Sequence, residues 1–193
     1  MTWNIREWNW SDSVVTISTA IFALVSLISV YISVTTWQTQ REAARPYLTF
    51  IESPSLNFSE NSGFEFEFKF KNVGTHPATN LSSRTLIFEQ QLQQKPIFID
   101  DYTVVNDIPR DATTSLLLNP KVNSFTKELE EINPHFIIIS LKYSDPIVHK
   151  SYSQTIYLKW AGVINNKQQP IIHVEMSEKS NIEHYLKIHQ LLD

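Results

Sequence analysis

Between Ser13 and Gln40 the chain carries no charged residue. No other feature limits its fold as much. The apolar heart, residues 14–37, reads VVTISTAIFALVSLISVYISVTTW. At about 1.5 Å per residue it makes roughly 36 Å of helix, enough to cross a hydrocarbon core of ~30 Å. Trp8 and Trp10 precede the run and Trp37 closes it, as interfacial aromatics flank a membrane span. A soluble core helix of this composition would have to be buried all round. A cleaved signal peptide wants a basic leader and a small-residue cleavage site. Here Glu7 offsets Arg6, and bulky Trp37 stands where small residues are needed. The reading is an uncleaved transmembrane helix over 13–40, behind an aromatic-rich leader at 1–12. Arg41 and Arg45 follow the span and only Arg6 precedes it. The positive-inside bias therefore predicts a cytoplasmic C-terminal domain.

The span has two unlike sides. Thr19, Ser26 and Ser33 recur at a spacing of seven, with Ser29 and Thr36 three residues after the last two. Small hydroxyl side chains on one stripe let helices approach closely and bond across the contact. These five residues predict helix–helix association between identical subunits. The competing use of each hydroxyl is a bond back to its own helix.

After a linker at 41–46, the pattern changes period. Pro46 cannot continue the helix. Phe64, Phe66, Phe68 and Phe70 then alternate with Glu65, Glu67, Lys69 and Lys71. Period two puts the rings on one face and the charges on the other, as in an antiparallel sheet with one wet side. Strands are also predicted at 47–51, 81–90, 95–101, 113–120, 135–144, 151–162 and 169–176. One short helix is predicted at 124–133. Many short strands with one minor helix predict a β-sandwich over 47–176. The last segment, 177–193, reads as an amphipathic helix, with Ser180 and Glu183 spaced as a capping box.

The Phe strand stops at Asn72-Val73-Gly74. Asn72 can fix a turn through its side chain, Gly74 can take a positive φ, and Pro77 interrupts the ladder. These three are read as structural turn residues. ARPYLTF (44–50), FKNVGTHPATNL (70–81) and LKYSDPIVHKSYSQTIYLKW (141–160) together resemble uncharacterised bacterial single-pass membrane proteins. Their outer part is an immunoglobulin-like sandwich of the CARDB, cell-adhesion-related kind. The N-x-G-x-x-P-A element of that class matches Asn72, Gly74, Pro77 and Ala78. The resemblance implies a sandwich turn and carries no catalytic residues.

Chemistry is sparse. There is no cysteine, so thiol chemistry and cysteine metal sites are excluded, and three glycines leave no Gly-rich phosphate loop. A net charge of −4 without a basic cluster argues against nucleic acid. The six histidines form no H-x-x-x-H pair, and His149 with Asp145 makes no metal site. Asp100, Asp101, Asp107 and Asp111 form a loose acidic group without the order of a calcium loop. No G-x-S-x-G elbow occurs. No cofactor and no metal are expected. On the last hairpin, Tyr157 and Lys159 share a face, and with Tyr143 they form a candidate binding surface.

The expectation is a membrane-anchored, non-enzymatic binding module, oligomeric through its span, with an unidentified protein or ligand partner. The alternative is a membrane effector whose oligomerised spans permeabilise the bilayer when the sandwich binds a signal.

Overall fold

The computed structural model describes residues 10–59, 63–92, 95–104, 106–118, 131–165 and 167–192. The leader residues Arg6, Glu7 and Trp8, and positions 124–130 of the expected short helix, lie outside them. The chain divides into two units, residues 1–44 and 45–193.

The first unit is one α-helix, α1 (Trp10–Ala43), in which no residue is buried. It is longer than the sequence pattern predicts at its C-terminal end, running to within three residues of Pro46. Asp12 sits in the first turn and Arg41 in the last, each favourably placed against the helix dipole. The Arg41 guanidinium lies 4.5 Å over the Trp37 ring. It is a helix long and apolar enough to cross a membrane.

The second unit is mainly β, and its described residues form two large antiparallel sheets and a two-stranded one. The first sheet is built on β3 (Gly63–Asn72), the alternating Phe strand. One edge of β3 pairs with β6 (Thr113–Leu118). The other edge pairs with β1 (Leu48–Phe50) and then β2 (Ser55–Ser59). β2 is a strand that the sequence pattern does not announce. β1 and β2 are one edge strand broken at 51–54, where Pro54 stands and the register to β3 shifts by two residues. A proline in an edge strand marks such a break.

The second sheet has the order β11 (Ile171–His173), β8 (Lys150–Trp160), β7 (His135–Asp145), β4 (Thr79–Glu89), β5 (Phe98–Thr103). β4 bulges between Thr79 and Ser82, with Asn80 at φ 52°. Asn tolerates that left-handed conformation better than most residues. A two-residue pair, β9 (Val163–Ile164) with β10 (Lys167–Gln168), follows β8. Ile132 bridges to Val163, so the end of the expected 124–133 helix is extended chain instead.

One core joins the sheets. Phe66, Phe68 and Phe70 from β3 and Leu116 and Leu118 from β6 pack with Ile137, Ile139 and Leu141 of β7 and Trp160 of β8. Phe66 meets Trp160 edge-to-face at 6.2 Å. The charges of the Phe strand face away: Lys69 pairs with Glu52 at 2.7 Å and Lys71 with Asp111 at 2.8 Å.

The other face of the second sheet is half covered by α2 (Met176–Ile188). Its buried Ile182 and Leu186 pack on Leu86, Phe88, Phe136 and Ile138. This explains why HFIIISL is buried at every position: β7 is covered on both faces there. The helix starts a turn earlier than its Ser180–Glu183 spacing predicts. Glu175 is the cap, and its N–H donates to Glu178 Oε2 at 3.1 Å. Glu183 faces the sheet instead, beside Tyr157.

Candidate functional site

The turn after the Phe strand is built on Asn72, which is fully buried. Its Oδ1 accepts from the N–H groups of Tyr47 (3.1 Å) and Gly74 (3.0 Å). Its Nδ2 donates to the carbonyls of His76 (2.8 Å) and Ile108 (3.0 Å). Every hydrogen-bonding position of the amide is thus used, and three chain segments meet on one side chain. Gly74 departs from expectation. Its φ is not positive. Glycine is needed because a Cβ there would strike the Arg45 carbonyl oxygen and lie 2.6 Å from Pro46 Cα and 2.7 Å from Tyr47 N. Pro77 stands just before the Ala78–Ile108 bridge that precedes β4.

His76 in this turn reaches the β7–β8 hairpin, where its Nδ1 lies 2.7 Å from Asp145 Oδ2. Asp145 is fully buried and accepts from the N–H groups of Ile147 and Val148 through Oδ1. Burial opposes its ionisation, but His76 and the two N–H groups outweigh that and hold the carboxyl below the usual range. The histidine beside Asp145 is thus His76, from a distant turn, rather than His149 of the same hairpin. At the far end of β7, His135 is buried and stacks on Trp160 at 5.9 Å. Burial lowers its pKa.

The three residues of the expected binding surface separate. Tyr143 is buried between the sheets, its hydroxyl donating to the Pro46 carbonyl at 3.4 Å. It points inward because it shares the parity of Ile139 and Leu141 on β7. Lys159 is held by α2, its Nζ 2.5 Å from Glu178 Oε1. Tyr157 faces the same helix. Burial and the neighbouring Glu183 carboxylate push its phenol up, and the Lys179 ammonium lies 5.3 Å over its ring.

Tyr157 also borders the concave surface on this side of the second sheet. One cavity of about 410 Å³ runs between Thr155, Tyr157 and the α2 residues Glu183 and Lys187, and ends on Leu192. A second, of about 230 Å³, continues from Leu192 past Ser82, Arg84, Thr103, Ser140 and Lys142. Arg84 is clamped by Asp101 through Nε (2.6 Å) and Nη2 (3.0 Å). That pair lowers the Asp101 pKa. Burial and then Asp101 raise that of Asp100, on the opposite face of β5. The groove offers hydroxyls that donate and accept beside a fixed guanidinium, a surface for a polar ligand. Sequence reasoning missed it because it depends on the β4–β5 register that sets Arg84 opposite Asp101. The acidic group disperses: Asp101 bonds Arg84, Asp111 bonds Lys71, and Asp100 faces inward. Among the described residues no three His, Cys, Asp or Glu side chains gather as metal ligands.

In α1 the hydroxyls of Thr19, Ser29 and Ser33 donate to the carbonyls of Val15, Val25 and Ser29, each four residues back. Their Ser26 and Thr36 companions complete the stripe.

A family model described as a domain of unknown function, DUF8453, matches residues 13–164. The chain belongs to that family. The DUF8453 match begins inside α1 and ends with β9, so it takes in the apolar helix and both sheet cores. β10, β11 and α2 lie beyond it. No curated protein matches the chain. A solution structure of a protein described as late embryogenesis abundant (LEA) aligns over 92% of this chain and 97% of its own, at 13% identity and a TM-score of 0.39. That likeness is too slight to bear on the fold.

Proposed function

We propose that this protein is a single-pass, membrane-anchored binding module. Its β unit presents the polar groove beside α2 to a protein or ligand partner, without catalysing a reaction. The observation that carries the reading is the exposed apolar helix. None of α1 is buried, whereas the β unit closes its own core. A bilayer would remove that apolar surface from water. The two facing antiparallel sheets with Trp160 between them support an immunoglobulin-like sandwich. The kinship with CARDB-type domains is carried by the Asn72–Ala78 turn. Arg41 and Arg45 favour a cytoplasmic β unit, and the Thr19–Thr36 stripe favours self-association of the span. Back-bonded hydroxyls remain small, so the close approach of helices survives that use.

The test places a photo-crosslinking residue at Lys142 and captures partners from native membranes. The binding reading expects one specific adduct, lost when Ser140→Arg fills the groove. Growth arrest and dye entry on overexpression, abolished without residues 1–44, would replace it with the permeabilising effector.

A further inference from the structure

We propose that Tyr47, Val73 and Ile147 form a patch that touches the bilayer surface. The inference rests on the anchored reading above. These side chains keep 44%, 49% and 51% of their surface exposed. They come from three separate segments, yet the structure ties them to one pole. Val73 donates its N–H to the Tyr47 carbonyl at 2.9 Å, which makes the two side chains cross-strand neighbours. The Val73 loop is tied to the Ile147 hairpin by His76 and Asp145.

The hairpin tip is unusual in chemistry. Tips favour Gly, Asn, Asp and Ser, but this one reads Pro146-Ile147-Val148-His149. Asp145 Oδ1 accepts from both Ile147 and Val148 N–H, so the tip is fixed with Ile147 outward rather than collapsed on the sheet. Scattered apolar residues on a surface mean little alone. Here chain connectivity says what covers them. The same pole holds Arg45–Tyr47, packed against Gly74, and α1 ends at Ala43. Two residues span at most about 7 Å. The polar end of α1 beyond Trp37 adds roughly 9 Å, comparable with the headgroup layer. The patch is therefore tethered within reach of the lipid boundary. Tyr at its centre suits an interface that is apolar on one side and wet on the other. Arg45, over the Tyr152 ring at 5.6 Å, adds a cation beside it for phosphate headgroups.

The chain has no cysteine, so single cysteines can be placed in the full-length protein and labelled with an environment-sensitive fluorophore. The probes are Val73→Cys, Ile147→Cys, Ile164→Cys and Ile28→Cys, reconstituted in phosphatidylcholine–phosphatidylglycerol vesicles with or without brominated lipid. Ile164 is equally exposed but lies beside Ile132, at the other end of β7, about 33 Å away along the strand. Labels at positions 73 and 147 should emit at shorter wavelength and quench about twofold or more beyond the label at position 164, as for side chains in the headgroup–acyl boundary. Water-like, unquenched emission at 73 and 147 overturns the proposal. The label at position 28 decides the span separately: quenched there but not at 73 and 147, the anchor stands and the patch falls; unquenched there, the anchor itself falls.

Discussion

Replacing Asn72 by aspartate changes one atom and removes two hydrogen bonds. The carboxylate still accepts from Tyr47 and Gly74 N–H. It no longer donates to the carbonyls of His76 and Ile108, and now sets an anionic oxygen about 3 Å from each. A buried acceptor left without its donor costs about 1–3 kcal/mol. An unpaired buried charge adds to that. Asn72→Asp should therefore destabilise the β unit by about 3–5 kcal/mol at neutral pH. For a unit of this size that is a fall in Tm of roughly 6–20 °C. The measurement is thermal unfolding of the detergent-solubilised full chain, followed by near-ultraviolet circular dichroism. The pH dependence gives a second arm. Burial raises the new carboxyl's pKa, and protonation supplies one donor. The variant's deficit should therefore shrink as pH falls. A fall in Tm below about 2 °C at neutral pH, or a deficit that grows with acid, would refute the assigned role.

Wild-type stability should respond to acid in the opposite sense. His135 has a lowered folded pKa, so the unfolded chain binds its proton first. Its contribution is complete above the unfolded value near 6.5 and is lost as pH falls below it; His135→Gln should flatten that limb of a pH–Tm curve. Asp145, also lowered, adds a second acid limb starting near its unfolded value of about 3.9. Phe66→Ala should cost about 3–5 kcal/mol in denaturant titrations, whereas Glu67→Gln on the wet face should fall within about 0.5 kcal/mol. Gly74→Ala should destabilise although its φ is not positive, because the obstacles are backbone atoms; an unchanged Tm would contradict the close approach. Ser26, Ser29 and Ser33 changed together to Leu should weaken oligomers in membrane cross-linking, and undiminished oligomers would remove the stripe from the contact.

The strands with strict alternation were legible. Phe66, Phe68 and Phe70 face the core as their period requires. Elements without a pattern were not. β2 is too short and mixed to announce itself, and the two-residue β9–β10 pair depends on Ile132 arriving beside Val163. Asn72's turn role could be read from its type. Its reach to Ile108 could not, because that contact spans distant sequence. Gly74 sits in the turn its type predicts, but for a cause no local pattern shows: φ is a local property, whereas the obstructing Arg45–Tyr47 backbone is brought by folding. Tyr143 faces inward because strand parity, not aromatic type, decides its side. The groove was invisible for a related reason. Arg84, Asp101 and Ser140 belong to three strands whose register no single segment encodes.

The most direct test of the anchored reading is alkaline carbonate extraction of native membranes. The full chain should stay with the bilayer pellet, and a chain lacking residues 1–44 should appear in the soluble fraction. Release of the full chain by carbonate would contradict a spanning helix and, with it, the membrane-anchored account.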